Sequence, residues 1–115
     1  MLLRIPVTLS FIFCCFFAAA QQGNNWYFGY RAGLTFNTTP PSALLDGDLV
    51  SLEGCASISD HNGQILLYTD GSRVWNRNHQ VMPNGTGLKG HWSSSNSAIV
   101  IAKPGSSNIY YIFTA

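Results

Sequence analysis

Cys55-Ala56-Ser57-Ile58-Ser59-Asp60-His61-Asn62-Gly63-Gln64-Ile65-Leu66-Leu67-Tyr68-Thr69-Asp70 is the stretch that decides the fold. Its first half alternates Ala56 and Ile58 against Ser57 and Ser59, the period of two that marks a strand with one face covered. Asn62-Gly63 supplies two residues that tolerate the positive φ of a tight hairpin turn. The chain returns as Gln64 to Asp70, and Ile65-Leu66-Leu67-Tyr68 is apolar on both faces, as in a strand covered from both sides. Asp70-Gly71 then makes a further turn into Arg73-Val74-Trp75.

Working outward, a second hairpin is predicted from Ser97 to Ala102, through Lys103-Pro104-Gly105-Ser106-Ser107-Asn108, and back as Ile109 to Thr114. Ala56 corresponds to Ala98 and Leu66-Leu67-Tyr68-Thr69 to Tyr111-Ile112-Phe113-Thr114, an offset of 42 to 45 residues that falls in the range of a propeller blade. Blades bury both faces only against neighbouring blades, which accounts for return strands apolar on each side. Towards the amino terminus, Trp26-Tyr27-Phe28 and Leu34-Thr35-Phe36 read as short strands, followed by a loop at Pro40-Pro41 and a turn at Asp46-Gly47-Asp48. No segment reads as a helix. The expected class is all-β, the opening blades of a propeller-like domain built from antiparallel strands.

The first twenty residues are of another kind. Arg4 is their only charge, Leu9 to Phe17 is apolar apart from Ser10, and Ala18-Ala19-Ala20 places small residues where signal peptidase reads them. Arg4 and Pro6 leave the run short of the roughly 20 apolar residues that a spanning helix needs. Residues 1–20 are therefore expected to be a secretory signal cleaved between Ala20 and Gln21, leaving 21–115 with no membrane span. Cys14 and Cys15 follow bulky residues, unlike a lipoprotein signal. Because Ala115 directly follows a strand, 21–115 is expected to be an incomplete domain that needs further blades to fold stably.

Charge excludes several partners. Beyond residue 20, Arg31, Arg73, Arg77, Lys89 and Lys103 balance Asp46, Asp48, Glu53, Asp60 and Asp70, so there is no basic field for a nucleic-acid backbone. Cys55 alone remains after cleavage, so no internal disulfide forms, and it is expected to be a buried free thiol.

Three stretches carry a resemblance: Asn25-Trp26-Tyr27-Phe28-Gly29, Leu52-Glu53-Gly54-Cys55-Ala56-Ser57-Ile58-Ser59-Asp60, and Tyr68-Thr69-Asp70-Gly71 continuing through Val74-Trp75-Asn76-Arg77-Asn78-His79 to Leu88. Together with Lys103-Pro104-Gly105 and Ile109 to Thr114, they make the chain resemble the amino-terminal region of large secreted or surface proteins of gliding-type Gram-negative bacteria. The resemblance implies a propeller-like region followed, in those proteins, by immunoglobulin-like repeats and a gliding-motility-associated domain that is the sorting signal for type IX secretion. It implies passage across both membranes by the secretion machinery and a place at the outer cell surface or outside the cell. It carries over no catalytic residue.

Candidate chemistry is sparse. Asp60 and Asp70 open Asx-type turns, where a short carboxylate bonds its own backbone. They are also the pair that a propeller glycosidase would use, the alternative to a non-catalytic adhesion module. Against it, Thr69-Asp70-Gly71-Ser72-Arg73-Val74-Trp75 lacks the order of the sialidase motif. His61, His79 and His91 fall in separate loops, Glu53 stands apart, and no metal or other cofactor is expected. Trp75 is expected in the core beneath Val81-Met82-Pro83. Trp92, in the polar loop Gly90-His91-Trp92-Ser93-Ser94-Ser95, is the candidate binding residue for a protein or carbohydrate ligand. Asn37-Thr38-Thr39 and Asn84-Gly85-Thr86 match the N-glycosylation pattern by chance.

Overall fold

The computed structural model describes residues 21–115. Ala20 and the rest of the expected signal segment lie outside the described residues. Gln21 opens a single 3-10 turn, Gln21–Gly23. Nine strands follow in three antiparallel sheets, so the all-β expectation holds.

The first sheet joins β1 (Asn25–Phe28), β2 (Ala32–Thr35) and β3 (Ser42–Leu44). A four-stranded meander forms the central sheet: β4 (Ala56–Ser59), β5 (Ile65–Thr69), β6 (Arg73–Asn76) and β7 (Val81–Thr86). The third is the hairpin β8 (Ala98–Ala102) and β9 (Tyr110–Thr114). The hairpin over Asn62-Gly63 forms as expected, with Ala56 opposite Thr69 and Ile58 opposite Leu67, and with a bulge at Ile58/Ser59. Asp60 caps its turn, and Gly63 takes a φ of 75°.

Strand β5 is covered on both sides. Its odd-numbered Leu67 joins Ile58 and Val74 in one core, packed by Val100, Tyr110 and Ile112 of the hairpin. Tyr68 points the other way and, at 0% exposure, joins Tyr27, Leu49 and Trp75 in a second core against the first sheet. Tyr68 stacks between Tyr27 (ring centroids 4.5 Å apart) and Trp75 (5.5 Å), a ladder that adds about 0.5–1.5 kcal/mol per pair beyond burial. The described residues thus form a stack of three sheets with the meander in the middle.

The structure departs from the sequence reading in several places. Val81-Met82-Pro83 is the start of strand β7, not a loop, and Trp75 pairs with Val81 across the ladder while stacking on Tyr68. The strand predicted at Leu34 begins at Ala32 and ends at Thr35, and β3 was not foreseen after the Pro40-Pro41 loop. None of the three sheets closes on itself among the described residues. The correspondence between the two hairpins holds in pairing, since Ala98 opposes Thr114 as Ala56 opposes Thr69. The equivalent pairs Ile58–Leu67 and Val100–Ile112 pack into one shared core.

Candidate functional site

Each sheet begins with a strand that has a neighbour on one side only: β1, β4 and β8. These three lie next to one another and border a groove of about 890 Å³. Trp26 and Phe28 of β1 line it on one side, Ala56 and Ser57 of β4 form its floor, and Ile99 and Phe113 of the hairpin make the other side. Alternation explains which side chains reach it. Asn25 and Tyr27 turn into the buried interface, so Trp26 and Phe28 turn out, and Trp26 is left 52% exposed. Its ring is held in place, because Nε1 donates to the Gly23 carbonyl (2.9 Å) and Phe36 packs against it at 4.9 Å.

The polar side chains that line the groove are those of Cys55, Ser57, Asn96 and Thr114. The Ser57 hydroxyl donates to the Asn25 carbonyl (2.9 Å), tying β4 to β1. Cys55 is half-buried at the groove margin, and burial pushes its thiol above the ordinary range. No Asp, Glu, Lys, Arg or His is among its lining residues. The surface offers aromatic and aliphatic contact, with no group placed for proton transfer.

The residues singled out in the sequence fall elsewhere. Trp92 is 42% exposed, beside His91, and its carbonyl accepts from the Leu52 amide and the Ser51 hydroxyl. Its loop is therefore zipped to Ser51–Gly54, away from the groove, and Trp26 is the more exposed indole. Asp60 Oδ1 accepts from the amides of Asn62 and Gln64, both at 2.9 Å, and those bonds hold its carboxyl below the ordinary range. Asp70 Oδ1 accepts from the Ser72 amide and hydroxyl and the Arg73 amide at 2.7–2.9 Å. Both carboxylates do turn chemistry. They sit at opposite ends of β5, a five-residue strand about 17 Å long at roughly 3.4 Å per residue. A glycosidase pair stands at most about 9.5 Å apart.

His79 does find partners. It sits in the β6–β7 turn with a φ of 60°, where its Nδ1 meets the Tyr68 hydroxyl (3.1 Å) and its Nε2 meets Asp46 (3.3 Å). Asp46 also accepts from the Tyr27 hydroxyl (3.0 Å), and the Asp48 amide donates to the Tyr68 oxygen (3.0 Å). This network fastens the β3–β4 connection over the aromatic ladder. Burial first, and then the Asp46 carboxylate, push the Tyr27 phenol far above its ordinary range. Among the described residues, no three His, Cys, Asp or Glu side chains gather as a metal site would require.

Two asparagines fasten the first sheet to the central hairpin, a role that nothing in their sequence neighbourhood signals. Asn25 donates to the Gly63 carbonyl (2.6 Å) and the Ser59 hydroxyl (2.9 Å), and Asn37 donates to the same carbonyl (2.8 Å). The Asn37 side-chain amide of the glycosylation pattern is thus engaged in a hydrogen bond, although the residue is exposed. Comparison of the chain with family models, curated proteins and solved structures gave no match.

Proposed function

We propose that the chain is the non-catalytic binding region of an exported protein, its stacked sheets being the opening part of a propeller-like array that meets a protein or carbohydrate outside the cell. The observation that supports binding is the groove where β1, β4 and β8 converge, walled by Trp26, Phe28, Ile99 and Phe113. Its lining offers apolar and aromatic contact without an acid, base or cation, which suits recognition and not bond cleavage. The amino-terminal segment supports export, with release at Ala20–Gln21, and the resemblance supports a place on a Gram-negative cell surface reached by type IX secretion.

Three measurements test this. Secretion from a Gram-negative host should yield a product whose first residue is Gln21, and a product that keeps Met1 to Ala20 would remove the export reading. Screening that product against glycans and surface proteins by tryptophan fluorescence should find a ligand whose affinity falls at least tenfold with Trp26→Ala and is unchanged with Trp92→Ala. Hydrolysis of a glycoside, lost with Asp60→Asn or Asp70→Asn, would replace it with the enzymatic alternative.

A further inference from the structure

The proposed release between Ala20 and Gln21 leaves a glutamine at the new amino terminus. Glutamine has a chemistry of its own in that place, because attack of its α-amine on its side-chain amide carbon Cδ closes an unstrained five-membered ring. The fold holds the backbone of Gln21 and leaves its side chain free. The Gln21 carbonyl accepts from the Asn24 amide (3.1 Å) across the 3-10 turn Gln21–Gly23. Its side-chain amide makes no hydrogen bond to any described residue, whereas those of Asn24, Asn25 and Asn37 are engaged. The turn packs against β4, and its Gly23 carbonyl accepts from Trp26 Nε1 (2.9 Å), so the new terminus stands close to the Trp26 wall of the groove.

We propose that Gln21 closes on itself after export, so that the mature protein begins with a pyroglutamyl lactam and carries no terminal charge. The inference rests on the export reading above and adds a covalent modification to it. The unprotonated α-amine attacks Cδ, and the bond from Cδ to Nε2 breaks. The proton that the amine gives up goes to the leaving nitrogen, which departs as ammonia. No oxidant, reductant or second substrate enters. An α-amine titrates just below 8, so roughly a tenth of it is free base at pH 7 and the reaction proceeds without any enzyme of this chain. Gln22 cannot react in the same way, because its nitrogen is already a peptide amide.

The lactam changes what the terminus presents. A free α-amine would set a cation near a groove with no charged side chain among its lining residues, and cyclisation puts an uncharged end there instead. The blocked end also offers no free amine to an aminopeptidase outside the cell.

Peptide mapping of the protein secreted from a Gram-negative host provides the test. Trypsin releases the first peptide as Gln21–Arg31, since no Lys or Arg intervenes. That peptide is expected to be lighter than its sequence by the mass of one ammonia and refractory to stepwise amino-terminal sequencing. Pyroglutamyl aminopeptidase should open it to sequencing from Gln22. The intact mass taken before digestion should show the same loss, which separates it from cyclisation during digestion. Gln21→Ala keeps Ala18-Ala19-Ala20 and should give a first peptide of full mass that sequences directly from residue 21. A wild-type peptide that starts at Gln21 with full mass and a free amine, after days at about pH 8 where at least half of the amine is free base, would overturn the proposal and leave export standing. A blocked peptide that starts at Gln22 would overturn the assignment to Gln21. A product that keeps Met1 to Ala20 would overturn the export reading and this inference with it.

Discussion

Tyr27 and Tyr68 show how the environment sets the chemistry of single residues here. Burial pushes both phenols up, and for Tyr27 the bond to Asp46 adds to it. A phenol raised in the folded state stabilises the fold below its unfolded value of about 10 and loses that contribution as pH climbs past it. In an absorbance titration, these two tyrosines should ionise only together with alkaline unfolding. A reversible tyrosinate signal from either ring in the folded protein would contradict the network. Asp60 has the opposite sign. Its carboxyl is lowered by the Gln64 and Asn62 amides, so its contribution is present above the ordinary carboxylate range and is lost as pH falls through the lowered value. Protection from amide exchange at Asn62 and Gln64, measured against the intrinsic rate at each pH, should fall in acid before that of the rest of the β4–β5 hairpin, and Asp60→Asn should reproduce that loss at neutral pH.

At the scale of elements, burial on both faces separates β5 from β9. Leu67→Ala empties a site packed from two sheets and should cost about 2–5 kcal/mol. Ile99→Ala, at an exposed position of β8, should cost a small fraction of that, and chemical denaturation of the two variants compares them directly. Gly54→Ala belongs with the costly changes, because an added Cβ would stand 2.5 Å from the Ser94 carbonyl oxygen and the Ser97 nitrogen. Much of this was legible in the sequence. Ile65-Leu66-Leu67-Tyr68 announced cover on both faces, and Asn62-Gly63 announced the turn. Strand β7 was hidden because Pro83 and Gly85 within it read as loop residues, although an edge strand tolerates proline where no ladder bond is needed. The groove was illegible for a different reason. Trp26 reads as one more aromatic in a strand, and only the alternation against buried Asn25 and Tyr27, fixed by contacts with residues more than thirty positions away, turns it outward. Trp92 drew attention by its polar neighbours, yet those neighbours are what tie its loop down.

For the whole molecule, the central sheet belongs to both cores, Tyr68 and Trp75 to one and Leu67 and Val74 to the other, and this ties the three sheets together. A mature region of this size is expected to hold only a narrow margin over unfolding. With unfolding entropies typical of domains near 100 residues, each kcal/mol lost lowers the melting midpoint by roughly 4–8 °C. Leu67→Ala should therefore lower the midpoint by roughly 8 °C or more in calorimetry of the secreted protein. The near-UV circular dichroism of the Tyr68–Trp75 stack should vanish in the same transition, although Leu67 lies in the other core. A stack signal that survives past the calorimetric midpoint of Leu67→Ala would mean that the two cores melt separately.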